Sequence, residues 1–161
     1  MDWKERLDGH SLQSLLDVDK RIVSKEPKQG MKEEFNHKRA DLILEAVSVN
    51  AKYRLFVRQN KANLENFSIG LDYLGNFGEV HLIRFNGAHK RVEDPIDNHF
   101  YTFHVHYETG DEGSMNKLRR TKHTEEYADF SSALVYAFQR LHIVNASAYF
   151  PGIDQLTIEL E

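Results

Sequence analysis

Cysteine is absent from the 161 residues of the chain, and proline is scarce, with three residues in all. The absence of thiols excludes disulfide bonds, thiolate catalysis, iron–sulfur clusters and zinc sites built on sulfur. Any metal site must therefore use histidine nitrogen and carboxylate oxygen. The sequence also lacks glycine-rich phosphate loops and dinucleotide-binding motifs. It therefore excludes the enzyme classes that depend on those motifs.

Basic residues are also fewer than acidic ones: the chain has 21 lysine and arginine residues and 25 aspartate and glutamate residues, which gives a net charge of -4. A broad interface with duplex DNA or an anionic membrane needs an excess of cations. No segment approaches the roughly 18 consecutive apolar residues of a membrane span, and the amino-terminal residues are charged where a signal peptide is apolar. We therefore expect a cytoplasmic protein that does not bind membranes.

A chain of 161 residues, of which 40% are hydrophobic, is long enough for one well-buried core. We expect a single α+β domain over residues 1–161. Leucines at helical spacing predict an amphipathic helix from about Ser11 to Ser24, and the polar segment 25–34 is predicted to be a loop. This helix and hinge, residues 1–30, could lie at the periphery of the domain.

From Ala40 onward the hydrophobic pattern alternates with a period of two, which is typical of strands. The turn signals between the alternating segments, at Asn50 and in residues 60–63 and 75–78, are too short for a helical crossover. Neighbouring strands must therefore be antiparallel. Strands are predicted over residues 42–47, 53–58, 67–74, 80–86, 100–107 and 156–160.

A second helix is predicted near the carboxyl terminus. Asp129 can cap it, and apolar residues recur on one helical face from Phe130 to Leu141. The fold class is therefore predicted to be α+β, with a single antiparallel β-sheet arranged as a meander and helices packed on one face.

The segment HFYTFHVHY, residues 99–107, is the densest unusual feature. Side chains alternate along a strand, so His104 and His106 share one face while Val105 and Tyr107 share the other. Cα atoms two residues apart on a strand are roughly 6–7 Å apart, so both imidazoles can converge on one metal ion or one phosphate. In the alternative, the two rings simply face solvent or pack beneath a helix.

The strand before this segment ends in further candidates, Arg84 and the turn Asn86-Gly-Ala-His89. Antiparallel pairing would place this end beside the two histidines. Arg84 offers a forked cation for a phosphate or carboxylate, and Gly87 would let a ligand approach the backbone closely.

Other polar residues have simpler interpretations. His81 alternates with apolar neighbours and is predicted to be buried, and His142 is predicted to favour the dipole at the end of the second helix. Residues 111–121 are predicted to be an exposed loop. The basic residues in and after this loop are either solvated or bind the phosphate of RNA or a nucleotide. They are Lys117, Arg119, Arg120 and Lys122.

Two chemistries fit the central candidates. His89, His104 and His106, with a carboxylate such as Glu108, could bind a divalent metal ion that activates water. Without a metal, the histidines and Arg84 could cleave a phosphodiester by general acid–base catalysis, with the guanidinium stabilising the developing charge. The residue pattern leaves both open.

The segments LIRFNGAH (residues 82–89) and HFYTFHVHYE (residues 99–108) resemble those of a family of small bacterial proteins of uncharacterised function. Its members pair an arginine-containing strand and a Gly-Pro-His turn with a later His-hydrophobic-His strand, an acidic glycine-containing loop and a helix. The likeness covers residues 42–142, with Ala88 in place of the proline. It implies an accessory protein of bacterial genomes and mobile elements, such as a toxin or a defence component. The matching histidines are His89, His104 and His106.

The first functional hypothesis is therefore a small phosphodiesterase or ribonuclease-like enzyme that acts on RNA or a nucleotide. Its candidate residues are His104, His106, His89 and Arg84, with or without a divalent metal. The alternative is a noncatalytic protein-binding or regulatory module, whose amino-terminal helix and sheet face would engage a protein partner.

Overall fold

The computed structural model describes residues 2–24, 31–88, 102–107 and 120–150. The predicted strand over residues 156–160 lies outside the described residues. The helices are α1 (Trp3–Arg6), α2 (Leu12–Asp17) and α3 (Phe130–Arg140), with short 3-10 helices at Val47–Val49 and Ala146–Ala148. The strands are β1 (Arg21–Ile22), β2 (Lys32–Glu34), β3 (His37–Ala46), β4 (Ala51–Asn60), β5 (Phe67–Gly75), β6 (Gly78–Asn86), β7 (His104–Tyr107) and β8 (Arg120–His123).

The eight strands form a single antiparallel sheet. From β3 to β8 each strand pairs with the next one along the chain, while β1 and β2 both pair with β3. The predicted meander is confirmed, and the chain reverses where turn residues occur: Asn50 and Gly78 have positive φ angles of 53° and 115°. Within the described residues, no helix is long and apolar enough to cross a membrane.

One face of the sheet is apolar because alternate residues of its central strands are apolar. Ile69 of β5 and Phe85 of β6 are buried there. The hydroxyl of Tyr53 donates to the carbonyl of Leu15 in α2 at 2.8 Å, and the ring of Tyr136 in α3 lies 5.7 Å from that of Phe85. The amino-terminal region belongs to the same buried cluster, which includes Trp3, Leu7, Leu12, Leu15 and Leu16.

The first predicted helix is shorter than expected, and three strands, β1, β2 and β8, were not predicted. Ser11 caps α2 as predicted, since its Oγ accepts a hydrogen bond from the N–H of Ser14 at 3.1 Å. However, α2 ends at Asp17 rather than Ser24, because the extended backbone of Val18 leads the chain into β1. Strands β2 and β8 lie in segments predicted to be loops. All their residues are exposed, so no apolar alternation marks them.

Helix α3 agrees with its prediction. Asp129 and Ser132 form a capping box, in which the Ser132 N–H donates to Asp129 Oδ1 at 2.8 Å. The helix is followed by His142 in the left-handed conformation, with a φ of 55°. The carbonyl of His142 accepts a hydrogen bond from the backbone N–H of Lys20 at 2.8 Å. His142 therefore acts at the end of α3 through its backbone conformation.

A β-bulge in the pairing of β5 with β6 changes which face His81 occupies. Leu71 pairs with Ile83, but the next residue, Asp72, pairs with His81, so Leu82 is the extra residue. His81 therefore lies on the opposite face from Ile83, where its Nδ1 is 2.6 Å from a carboxylate oxygen of Asp72. The prediction of a buried His81 is wrong, since its side chain is 44% exposed. The hydrogen bond to Asp72 raises the pKa of His81.

Lys20 joins the ends of α2 and α3 and is fully buried. Its Nζ donates to the carbonyl oxygens of Leu16 at 2.7 Å, Val18 at 3.0 Å and Leu141 at 2.8 Å. These carbonyls belong to the ends of the two helices, where backbone acceptors have no partner within the helix. One ammonium group thus satisfies both helix ends.

Candidate functional site

The sheet face opposite the apolar core carries the candidate residues. Antiparallel register places Arg84 directly opposite His106, and Asn86 opposite His104. On the other side of β6, Asn86 pairs with Ser68 of β5, which in turn pairs with Arg58 of β4. The surface defined by Arg58, Ser68, Arg84, Asn86, His104 and His106 is hereafter the polar face.

The two histidines share this face, as their spacing predicted. Strand β7 begins at His104, later than expected, and residues 100–101 lie outside the described residues. The rings of His104 and His106 contact each other edge to face, with centroids 4.9 Å apart. His104 is fully buried and His106 is 9% exposed. The pair is therefore held in a largely desolvated position, where electrostatic interactions are stronger than in water.

A chain of hydrogen bonds fixes the ring of His104. Ser68 Oγ donates to Asn86 Oδ1 at 2.7 Å, and Asn86 Nδ2 lies 3.3 Å from His104 Nε2. His104 Nδ1 is 2.8 Å from the carbonyl oxygen of Thr102. Since a carbonyl only accepts and an amide nitrogen only donates, Nδ1 carries the proton and Nε2 is the acceptor. The network thus selects the neutral Nδ1–H tautomer and positions the neighbouring ring of His106.

His106 is oriented from the other side by β8. Its Nδ1 lies 3.0 Å from the hydroxyl of Thr121, which is directly opposite His106 in the β7–β8 pair. A hydroxyl can donate or accept, so this contact allows His106 to exchange between protonation states without losing its partner. That property suits a residue that moves a proton.

Arg84 is the cation nearest to the histidine pair in register. Its side chain is partly buried, and among the described residues nothing accepts a hydrogen bond from its buried Nε. Burial, and next the positive charge of Arg58, lower the pKa of Arg84, while Asp72 opposes them. The two guanidinium groups therefore belong to the same side of the sheet, on strands separated by β5, in partly desolvated surroundings. This arrangement favours binding of an anion with several oxygens.

The carboxylates near Arg84 form ion pairs with Arg54 and His81. Asp72 is 1% exposed, and its two oxygens contact His81 Nδ1 and, at 3.1 Å, Nη2 of Arg54. The same Nη2 of Arg54 lies 2.7 Å from Glu79. These pairs form a separate network across β4, β5 and β6. The positive charge of Arg58 and Arg84 is thus only partly offset on the polar face.

The ring of Phe56 packs over Gly70, which lies between Phe56 and Arg84 in the sheet. Phe56, Gly70 and Arg84 lie in one row across β4, β5 and β6. A Cβ at Gly70 would collide with the ring of Phe56, so the absence of a side chain there is what admits the ring. The ring therefore covers Gly70, the residue directly opposite Arg84.

The Gly70→Ala substitution tests this packing. Alanine in an ordinary strand is more favourable than glycine by about 0.5–1 kcal/mol. At position 70 the collision with Phe56 is expected to make alanine destabilising instead, with a loss of about 1–3 kcal/mol in the free energy of unfolding. In a Phe56→Ala background most of this cost should disappear. Urea unfolding of both single variants and the double variant gives the coupling. Additive effects would contradict the placement of the ring.

Several predicted residues are not brought to the polar face by the described part of the chain. His89, Glu108, Lys117 and Arg119 lie outside the described residues. Lys122 is directly opposite Val105, so it lies on the apolar side of the sheet. Gly87 does not serve a ligand: a Cβ there would collide with the carbonyl of Glu65 and the ring of Phe67. The absent side chain instead permits close packing within the chain.

The described residues contain no group of three or more histidine, aspartate or glutamate side chains that could hold a metal ion. The predicted set His89, His104 and His106 is represented there only by its last two members. Comparison with protein-family models, curated proteins and solved structures found no match. The polar face itself is therefore the basis for assigning a function.

Sequence reasoning missed three members of the polar face: Arg58, Ser68 and Asn86 in its role toward His104. Arg58 and Ser68 come from strands that do not pair with β7, and the hydrogen bond of Asn86 to His104 depends on side-chain conformations that the sequence pattern does not show. Alternation within β4 and β5 does place Arg58 and Ser68 on the polar side. Counting residues back from the turns that join β4 to β5 and β5 to β6 would have suggested which residues of the neighbouring strands lie opposite them.

Proposed function

We propose that the protein binds a phosphate group on the polar face and cleaves phosphodiesters of RNA or a nucleotide. The observation that carries this proposal is the partly buried Arg84, whose Nε has no acceptor among the described residues. Arg84 shares its side of the sheet with Arg58 and pairs in register with His106. A buried guanidinium donor without an acceptor is costly unless a ligand supplies one. A phosphate supplies several acceptors and a negative charge.

The proposal takes the helices to lie on the apolar face alone. The ligand would bind over Arg58 and Arg84, the partly exposed members of the polar face, because Ser68, Asn86, His104 and His106 are buried. Arg84 and Arg58 would hold the phosphate oxygens and stabilise the charge that develops on them during cleavage. Phe56, which covers Gly70 in the same row as Arg84, would keep this part of the site poor in water. The largely buried histidine pair lies next to the bound phosphate.

His106 would act as the general base. In cleavage of RNA it would take the proton of the ribose 2′-hydroxyl, whose oxygen attacks phosphorus and displaces the 5′-oxygen of the next nucleotide. The leaving oxygen must receive a proton, and His89, three residues after Asn86, is proposed to donate it. The products are a 2′,3′-cyclic phosphate and a free 5′-hydroxyl. His104 would position His106 rather than exchange protons.

A metal-dependent version of the same site would use His89, His104 and His106 as ligands to a divalent ion. Both ring nitrogens of His104 are engaged, with Asn86 and with the carbonyl of Thr102. Coordination of a metal would break one of these contacts. The metal-free version is therefore the favoured form of the proposal.

Binding of a short single-stranded RNA tests the phosphate site. Arg84→Ala is expected to weaken binding about 10- to 100-fold, because it removes charge-assisted hydrogen bonds of about 1.5–3 kcal/mol. Arg21→Ala, an exposed arginine in β1, is the matched control and should leave binding unchanged. Fluorescence anisotropy at fixed ionic strength measures both, and equal binding by the two variants would overturn the proposed site.

Turnover separates the enzyme from the noncatalytic alternative. Release of the 2′,3′-cyclic phosphate by the wild-type protein supports the enzyme. RNA binding that requires Arg84 but produces no cleavage would make the protein a binding module for RNA. A regulatory module for a protein partner would bind no RNA at all, which would remove the proposed function. A role as a toxin or defence component, implied by the family resemblance, is compatible with the first outcome.

A further inference from the structure

A cavity of about 950 Å³ lies on the opposite side of the sheet from the polar face. Its floor is made of Ile83 and Phe85 of β6 and Val105 of β7, whose side chains alternate with Arg84, Asn86 and the histidines. Trp3 of α1 and Tyr136 of α3 contribute to its walls. Its volume falls within the range of small-molecule sites.

The charge around this cavity has one sign. Lys4, Lys122 and Arg140 line it, whereas no aspartate or glutamate is found among its described lining residues. Arg140 lies 3.2 Å from Asp17, so its charge is partly neutralised. Lys4 and Lys122 are exposed and form no ion pair within the described part of the chain. Both ammonium groups can therefore interact with a negatively charged ligand in the cavity.

Hydroxyl and amide side chains also line the cavity, among them Ser11, Gln13 and Thr124. Burial raises the pKa of Tyr136, which keeps its hydroxyl protonated. An apolar floor, polar side chains, and two lysines that form no ion pair within the described residues match a ligand that has an apolar body and a negatively charged end.

We propose that this cavity binds a small amphipathic carboxylate, with its apolar body on Ile83, Phe85 and Val105 and its carboxylate toward Lys122 and Lys4. The site is separate from the polar face and does not depend on the function proposed there. The two faces of the same strands, β6 and β7, would then serve two different ligands. Because adjacent residues of β7 line both sites, the carboxylate would bind directly behind the histidine pair.

Trp3 provides a built-in reporter, since it is the single tryptophan of the chain and lines the cavity. Octanoate and octan-1-ol, which share an apolar chain and differ in charge, are titrated against the full chain while tryptophan fluorescence is recorded. Octanoate is expected to give a saturable change and to bind more tightly than the alcohol.

Lys122→Met retains most of the apolar stem of lysine and removes its charge. It is expected to weaken octanoate binding about fivefold, in the range of an exposed ion pair, and to leave octan-1-ol binding unchanged. Lys52→Met, on β4 at a side chain that is 65% exposed, is the control and should change neither. No saturable response to octanoate, or octanoate binding that is indifferent to both Lys122→Met and Lys4→Met, would overturn the proposal.

Discussion

Replacing His106 with alanine is expected to lower the rate of RNA cleavage by about 10²- to 10⁴-fold, the usual contribution of a general base. The substitution removes the imidazole that pairs in register with Arg84 but leaves both arginines in place. Substrate binding should therefore change little, so the loss should appear in kcat rather than in KM. Initial rates with a short RNA of defined sequence, at saturating and at low concentration, measure the two quantities.

The matched control is His37→Ala, at the start of β3, which lies on the same side of the sheet but is separated from β7 by three strands. Its rate should equal that of the wild-type protein. His104→Ala should also lower the rate, but through the orientation of His106, and Asn86→Ala should reproduce part of the same loss. A His106→Ala variant with unaltered cleavage, in a protein that cleaves RNA, would remove His106 from the reaction.

Lys20→Met is expected to produce the largest loss of stability of any single lysine substitution in the described residues. Methionine can replace the stem of the side chain, but the carbonyls of Leu16, Val18 and Leu141 lose their shared donor. Each buried carbonyl without a partner costs about 1–3 kcal/mol, so we expect a loss of about 3–5 kcal/mol in the free energy of unfolding. Urea unfolding at pH 7 measures it.

The control for this substitution is Lys52→Met, whose side chain is 65% exposed and makes only a distant ion pair with Glu45 at 3.9 Å. A surface change of this kind should alter the free energy of unfolding by less than about 0.5 kcal/mol. Equal and small losses for Lys20→Met and Lys52→Met would contradict the role of Lys20 at the two helix ends.

Lys20 also predicts a pH dependence of stability. Burial lowers the pKa of Lys20 from 10.5 to about 8. Between these values the unfolded chain keeps a proton that the folded chain releases, so the free energy of unfolding should rise with pH in this window. Buried tyrosines with raised pKa values, such as Tyr53, act in the opposite direction above pH 10. The difference between the wild-type protein and Lys20→Met between pH 7 and 10 isolates the lysine.

The elements that sequence patterns predicted well are those with strong local signals. Strands β3 to β6 combine alternating apolar residues with short turns, and α3 combines a capping residue with one apolar face. Such signals need no knowledge of distant parts of the chain. The elements that were missed, β1, β2 and β8, are short strands at the outer part of the sheet. Their pairing partner, rather than their own composition, makes them strands.

The candidate site likewise has some features that the sequence pattern predicted and others that it did not. Alternation alone places His104 and His106 on one face, and antiparallel pairing brings Arg84 beside them. The bulge opposite Leu71 could not be anticipated from the pattern, and it moves His81 to the other side of the sheet. The tautomer of His104 was equally inaccessible, because it depends on Asn86 and on the carbonyl of Thr102. These features arise from the register of several strands at once.

The most direct measurement is an NMR titration of the wild-type protein with uridine 3′-phosphate, observing the Nε–H of Arg84 and the imidazole nitrogens of His104 and His106. The account predicts that the Arg84 Nε–H and the His106 nitrogens shift and saturate together, while His104 keeps its proton on Nδ1. Unchanged Arg84 and His106 signals at saturating nucleotide, or an Nε2–H tautomer at His104, would contradict it.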